Sequence, residues 1–170
     1  GAKRVAGIDI TKGLIDYEKK SYPDLEFQVM DMEKLNFADD SFDFVYSSLT
    51  MHYVKDWTKT LRGVYKILKK GGTFIFSTHH PIKWGAGVNR SKEKDSFLIG
   101  YEKYESGESK VFGDYLNTRK IDDIWFNEFK VSYYHRPLSE IISDIIKSGF
   151  VISDFVEPKP LKSVIKEKPN

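Results

Sequence analysis

Apolar and polar residues follow one another in short blocks whose period switches between two and about four. Val5 to Ile10 is a mostly apolar run ending in the acid Asp9 and one further apolar residue, the pattern of a strand covered on both faces of a parallel sheet. Thr11 stands where a helix carrying Leu14, Ile15 and Tyr17 would begin, and Ser21-Tyr22-Pro23-Asp24 would turn the chain out of it. Leu25 to Met30 reads as a second strand, followed by Asp31, and the polar loop Ala38 to Ser41 leads into a third, Phe42 to Ser47. Asp56 is placed as an N-cap, and Leu61, Val64, Tyr65 and Leu68 follow Trp57 at offsets of 4, 7, 8 and 11. That spacing predicts one apolar helical stripe with Tyr65 buried in it. Lys69 and Lys70 suit the negative end of the helix dipole and Gly71-Gly72 would stop the helix. A fourth strand, Thr73 to Ser77, runs to His79-His80-Pro81.

Residues 5–81 therefore alternate strand and helix, which predicts an α/β fold with a mostly parallel sheet, right-handed crossovers and flanking helices. Residues 82–136 change character to polar and aromatic, and segments 111–118 and 123–135 could pair as an antiparallel hairpin in an insertion or lid over the sheet edge. Leu138, Ile141, Ile142, Ile145 and Ile146 share a helix face between Pro137 and Gly149. A last strand is expected from Phe150 to Val156, then a Pro- and Lys-rich tail. The expected organisation is a single domain over residues 1–170, with a ligand-binding part at 1–81, the insertion at 82–136, and a helix, strand and tail at 137–170.

Composition narrows the chemistry. The chain of 170 residues has 27 Lys plus Arg against 25 Asp plus Glu, a net charge of +2. A balance so even gives no electrostatic case for nucleic acid or a membrane surface, and no apolar run approaches the roughly 18 residues of a membrane span. The absence of cysteine removes disulfides, thiolate metal sites and cysteine nucleophiles, and fits a reducing cytoplasm. Four histidines without paired helical spacing make no metal-ligand set, so no metal is expected.

In an open parallel sheet, ligands bind beyond the carboxyl ends of the strands. Those ends carry Asp9, Asp31-Met32, Ser47-Ser48 and Ser77 to Pro81. A strand-end acid can accept two hydrogen bonds from a ribose diol. A second acid one strand over can accept from an adenine amine, with Met32 packing on the ring. Asp9 and Asp31 thus describe an adenosine-shaped site, and each also suits a plain capping role in the turn that follows it.

Several segments in this order resemble the class I S-adenosylmethionine-dependent methyltransferases, with the closest look to small-molecule members of the ubiquinone-biosynthesis type. They are Gly7-Ile8-Asp9-Ile10, Met30 to Phe37, Phe42 to Leu49 with His52 to Trp57, Ile67 to Phe74, and downstream Ser77 to Pro81, Tyr134-His135-Arg136, Gly149-Phe150 and Glu157-Pro158. The resemblance implies a Rossmann-like sheet and S-adenosyl-L-methionine as cofactor. It implies that Asp9 holds the ribose hydroxyls flanked by Ile10, that Asp31 and Met32 hold the adenine, and that Ser47 and Ser48 line the methionine end. The family's glycine-rich turn has no counterpart here. The chain starts at what looks like the loop before the second strand, so the expected sheet is incomplete at the N-terminus and could be completed in a homodimer.

The implied reaction is an in-line methyl transfer to a small-molecule acceptor. His79, His80 and His135 are candidates for a general base, because neutral imidazole works near pH 7. Neighbours on a strand face opposite sides, so one of His79 and His80 would face the pocket, and His80 is preferred. Arg136, Trp84 and His52 are candidates for substrate binding. Three other readings compete. A catalytically inactive methyltransferase-like fragment or binding module is one. An NAD(P)-dependent short-chain oxidoreductase would use Tyr65-x-x-x-Lys69, but a stripe-buried Tyr65 argues against it. An enzyme methylating base amino groups would need an Asn/Asp-Pro-Pro-aromatic motif where Ser47-Ser48-Leu49-Thr50 stands.

Overall fold

The computed structural model describes residues 1–90, 95–126 and 128–159, with side chains 88–90 and 95–98 left undescribed. The chain begins as β1 (Ala6–Asp9), α1 (Lys12–Ser21) and β2 (Glu26–Val29), with β1 and β2 parallel and Asp9 in register with Val29. After a 3₁₀ turn at Met32–Lys34 come β3 (Phe42–Ser48), a second 3₁₀ turn at Met51–Tyr53, α2 (Trp57–Ile67) and β4 (Leu68–Ser77). Strands β3 and β4 are also parallel. Among the described residues the two parallel pairs share no ladder, so the one sheet expected from the alternation is two parallel pairs side by side in sequence.

Helix α2 starts where its cap predicts, the Asp56 carboxylate accepting the Lys59 N–H at 2.9 Å. It ends four residues before Gly71, because Leu68 is already buried in β4. The ladder then shifts from Phe42↔Leu68 to Phe44↔Thr73. Residues 69–72 form the bulge, and Gly71 at φ +81° takes the left-handed turn it needs. Lys69 consequently lies on the strand, with Nζ 2.9 Å from Asp43. Tyr65 is 52% exposed, not buried, its ring edge-on to Phe150. A tyrosine and lysine that share no helix turn cannot serve as a reductase pair, which removes the oxidoreductase reading.

The core is the seam where α2 and α4 (Leu138–Lys147) cover one face of β3 and β4. Met51, Val54, Trp57, Leu61 and Ile141 are buried together, with Met32, Phe74, Phe76, Ile145 and Phe150 packed against them. Thr58 on α2 donates to Asp144 on α4 at 3.1 Å. Between β4 and α4 lie the short α3 (Ile82–Gly85) and three antiparallel hairpins, β5 (Gly87–Arg90) with β6 (Asp95–Leu98), β7 (Gly100–Lys103) with β8 (Ser109–Phe112), and β9 (Arg119–Trp125) with β10 (Phe129–His135). The hairpin expected from 111–118 and 123–135 is therefore formed by 119–125 and 129–135. Phe150 to Val156 is not a strand: it pairs with no described neighbour, and Val151 stands 90% exposed. β-branched composition without a partner ladder does not make a strand. Of the tail, residues 160–170 lie outside the described residues.

Candidate functional site

Both strand-end acids cap the turn that follows them. Asp9 Oδ1 accepts the Thr11 N–H at 2.7 Å, and Asp31 Oδ1 accepts the Glu33 N–H at 2.9 Å, opening the 3₁₀ turn. One oxygen of each carboxylate is used in this way, and Met30 N–H donating to the Asp9 carbonyl at 3.0 Å extends the β1–β2 ladder towards Asp31. Capping and ligand recognition are therefore compatible in these residues, not alternatives. Ile10 is largely exposed beside Asp9, and Met32 is half-buried against the core. Glu33 joins this loop to the next one, its Oε1 accepting the backbone N–H of Lys55 at 2.9 Å and of Asp56 at 3.3 Å.

The ends of β3 and β4 are clamped together by Leu49, whose N–H reaches both the carbonyl and the hydroxyl of Ser77 at 3.1 Å. Ser47 is half-buried on the core-facing side and Ser48 is exposed. The clamp sends the chain after β3 into the Met51–Tyr53 turn and the chain after β4 past Thr78, so that His52 and His79 meet. Their rings stack at 3.7 Å with 13° between planes. Tyr133 of β10 packs on both, 5.5 Å from each ring, and is itself stacked by Trp84 at 5.2 Å. Trp84 Nε1–H donates to His79 Nδ1 at 3.2 Å, which leaves the His79 proton on Nε2.

Burial decides the charge state of this cluster. Loss of solvent, then the neighbouring His79 and Lys83, pushes the His52 pKa down to about 4. Burial and Lys83 also lower that of His79. Both rings are neutral at pH 7. Burial, and after it Tyr53 and Asp123, raises the Tyr133 phenol to about 12, with the Trp125 side chain opposing.

A cleft lined by His52, Trp57, Thr78, His79, Pro81, Trp84, Tyr134, His135, Arg136 and Ile141 lies against this stack. Its free volume is about 10 Å³, room for one water. Arg136 donates to the Lys55 carbonyl, sits 3.4 Å from Glu140, and lies over the Trp57 and Tyr134 rings. Loss of solvent lowers its pKa, opposed chiefly by Glu140. His135 pairs through Nε2 with the Tyr115 carbonyl at 2.8 Å. The nitrogen facing a carbonyl must carry the proton, so Nδ1 is an acceptor. Burial lowers the pKa of this histidine also. Gly85 permits the arrangement: a Cβ there would stand 2.8 Å from the Tyr115 ring and 3.2 Å from His135 Cε1.

The pocket-facing member of the His79-His80 pair is His79. His80 is turned outwards, its Nε2 2.6 Å from Glu157 and its Nδ1 accepting the Ile82 N–H at 3.2 Å. Both nitrogens are thus occupied at the surface, which corrects the preference for His80 as the base. His52, His135, Arg136 and Trp84 are brought together in the cleft, while Asp9, Ile10, Asp31 and Met32 stand at the ends of the other strand pair. Among the described residues there is no cluster of three His, Cys, Asp or Glu suited to a metal, and no helix is long and apolar enough to cross a membrane.

Residues 1–76 match the family model described as a methyltransferase domain. An S-adenosylmethionine dependent methyltransferase from Mesorhizobium loti, of known crystal structure, superposes with a TM-score of 0.81 at 28% identity, covering 99% of this chain and 73% of that one. Over residues 1–76 the chain is thus similar in sequence to that domain family, and along almost its whole length it shares the fold of S-adenosylmethionine-dependent methyltransferases. An uncharacterized protein of Haemophilus influenzae is 26% identical to this chain over 168 residues, 93% of the chain and 62% of that relative. Malonyl-[acyl-carrier protein] O-methyltransferase of Yersinia pestis is 29% identical over 76 residues, 45% of this chain and 28% of that enzyme. The chain thus spans less than two-thirds of the length of these two curated relatives. The comparisons support the family and not the ubiquinone-biosynthesis subgroup.

The hydrogen-bond acceptors at these strand ends suit S-adenosylmethionine, the cofactor named for the matched structure from Mesorhizobium loti. Two carboxylates at neighbouring parallel strand ends match a diol and an amine, and Met32 offers an apolar surface between them and the core. Sequence reasoning missed Tyr133, the hub of the aromatic stack, together with Tyr53 and Thr78. The period of two along β10 carries the missing signal, because it places Tyr133 on the same face as His135, and both are buried.

Proposed function

We propose that the protein transfers a methyl group from S-adenosyl-L-methionine to a small-molecule acceptor by in-line displacement. The observation that carries this reading is the position of the His52–His79 stack, directly after the carboxyl ends of β3 and β4, where an open parallel sheet binds its ligands. Asp9 holds the ribose hydroxyls with Ile10 beside them, Asp31 and Met32 hold the adenine, and Ser47 and Ser48 line the methionine end. The cofactor supplies an electrophilic methyl group on a sulfonium. The chain supplies alignment, worth about 7–11 kcal/mol when donor and nucleophile are held in line. It also supplies a dry cleft and neutral imidazoles. His79 carries its proton on Nε2, so in this arrangement His52 is the histidine free to take a proton from an acceptor that must lose one. Arg136 and Trp84 bind the acceptor.

The acceptor of the Yersinia enzyme is not carried over, since that match covers 45% of this chain. Absence of cysteine supports a cytoplasmic location. Calorimetry of the full-length protein with S-adenosylhomocysteine tests the reading. Micromolar binding, weakened tenfold or more in Asp9→Ala, is expected, and no binding at high protein concentration would sink it.

A further inference from the structure

The peptide between Lys55 and Asp56 is held at both ends by groups of opposite charge. Its N–H donates to Glu33 Oε1 at 3.3 Å, and its carbonyl accepts from the Arg136 guanidinium. The Lys55 N–H, one peptide earlier, donates to the same Glu33 oxygen at 2.9 Å. A carboxylate on one side and a guanidinium on the other polarise the peptide between them, so each bond strengthens the other. Glu33 comes from the 3₁₀ turn after β2 and Arg136 from just beyond β10, so two distant parts of the chain meet at the start of α2.

Glu33 also does for α2 what its own sequence does not. In a capping box the third residue of the helix returns an acidic side chain to the N-cap N–H. Here that position is Lys59, which can donate and cannot accept. Asp56 caps the helix with its own carboxylate, but its N–H depends on Glu33, 23 residues earlier.

On its other side Glu33 is joined to Asp31, whose Oδ1 accepts the Glu33 N–H at 2.9 Å. Met32, between the two, packs against the buried cluster, and Leu35 lies against α2, 3.8 Å from where a Cβ on Gly63 would stand. Among the described residues, Glu33 makes the only hydrogen bonds from this turn to another element. The place of Asp31 relative to α2 is thus set by apolar contacts and one polar side chain.

We infer that Glu33 is a positioning residue for the cofactor: by tying the turn that carries Asp31 and Met32 to the start of α2, it holds Asp31 in place to accept from the adenine amine. The inference rests on the methyltransferase reading above. Glu33 acts through Asp31, and its removal should matter only while Asp31 is there to be placed.

The test is a pair of double-mutant cycles, read by calorimetry of S-adenosylhomocysteine on the full-length protein. Glu33→Ala is expected to weaken binding about tenfold. Glu33→Gln, whose amide oxygen can accept the same two N–H groups, should stay within roughly threefold of the wild type. In an Asp31→Ala background Glu33→Ala should add less than about twofold, because the residue it positions is gone. In an Asp9→Ala background it should add its full factor, since Asp9 is fixed by its own turn at Thr11. General loosening of the fold would instead repeat the loss in both backgrounds. A cooperative thermal transition checks that each variant folds, and Glu33→Asp, one methylene shorter, replaces Glu33→Ala if the latter does not. Unchanged binding in Glu33→Ala, a glutamine variant as weak as the alanine, or equal losses in the two backgrounds overturns the inference and leaves the methyltransferase reading standing. Failure of the wild-type protein to bind S-adenosylhomocysteine overturns both.

Discussion

The strand ends at Asp9 and Asp31 and the cleft beside the His52–His79 stack are opposite solutions to placing polar groups. At the strand ends each carboxylate is half-exposed and already bonded to its own turn, Asp9 to Thr11 and Asp31 to Glu33. Around the cleft one buried polar atom each of His52, Tyr133, His135 and Arg136 is left without a partner. The first region can exchange water for a ligand at little cost to the fold. The second holds buried atoms without partners, so the fold carries a desolvation cost there.

The difference can be broken first at the support beneath the cleft. Trp57 is 2% accessible, donates to the Met51 carbonyl at 2.9 Å and lies under Arg136. Trp57→Ala should cost about 3–5 kcal/mol in chemical denaturation, and a loss below 1 kcal/mol would show that the seam is not the core. Acid is the next lever. A His52 pKa lowered to about 4 from 6.5 means that the unfolded chain binds the proton first. The contribution of His52 is therefore complete above pH 6.5 and is lost as pH falls towards 4, on the order of 3 kcal/mol in all. The denaturation midpoint should fall between pH 7 and pH 5, and His52→Gln should flatten that slope.

On the strand-end side, Asp9→Ala should weaken S-adenosylhomocysteine binding by about 1.5–3 kcal/mol in calorimetry. The accompanying stability loss should be about 1 kcal/mol, the value of a lost cap. The smallest effect has the most specific sign. Tyr133→Phe deletes a buried hydroxyl that meets no partner in good hydrogen-bond geometry, with the Trp125 side chain its nearest polar neighbour, so it should raise the thermal midpoint, by about 1 kcal/mol of stability. A clear destabilisation would mean that the hydroxyl is paired after all and that the two regions are less different than they look.

What could be read from the sequence follows the same division. Asp9, Asp31 and the Asp56 cap are legible because their geometry is settled within three residues by the turn that follows. The order of β1, α1, β2, β3, α2 and β4 was legible for the same reason, since periodicity reports local burial. The end of α2 was not, because Leu68 pairs with Phe42 and the bulge at Gly71 absorbs the mismatch, a tertiary event that local stop signals do not encode. The choice between His79 and His80 depended on where Trp84 and Glu157 lie, five and 77 residues away. Phe150 to Val156 has strand composition, and only a partner ladder could have made it one.

The cleft's contacts also govern the time course of folding. Arg136 meets the Lys55 carbonyl across 81 residues, and Thr58 meets Asp144 across 86, whereas β1 and β2 close around one short helix. Bringing together ends so far apart must overcome the entropy of a long loop before any contact rewards it. The βαβ unit at the N-terminal side can assemble early, and the cleft closes last. A nascent chain therefore carries the Asp9 and Asp31 strand ends, already fixed by their own turns, well before the cleft beside the His52–His79 stack exists.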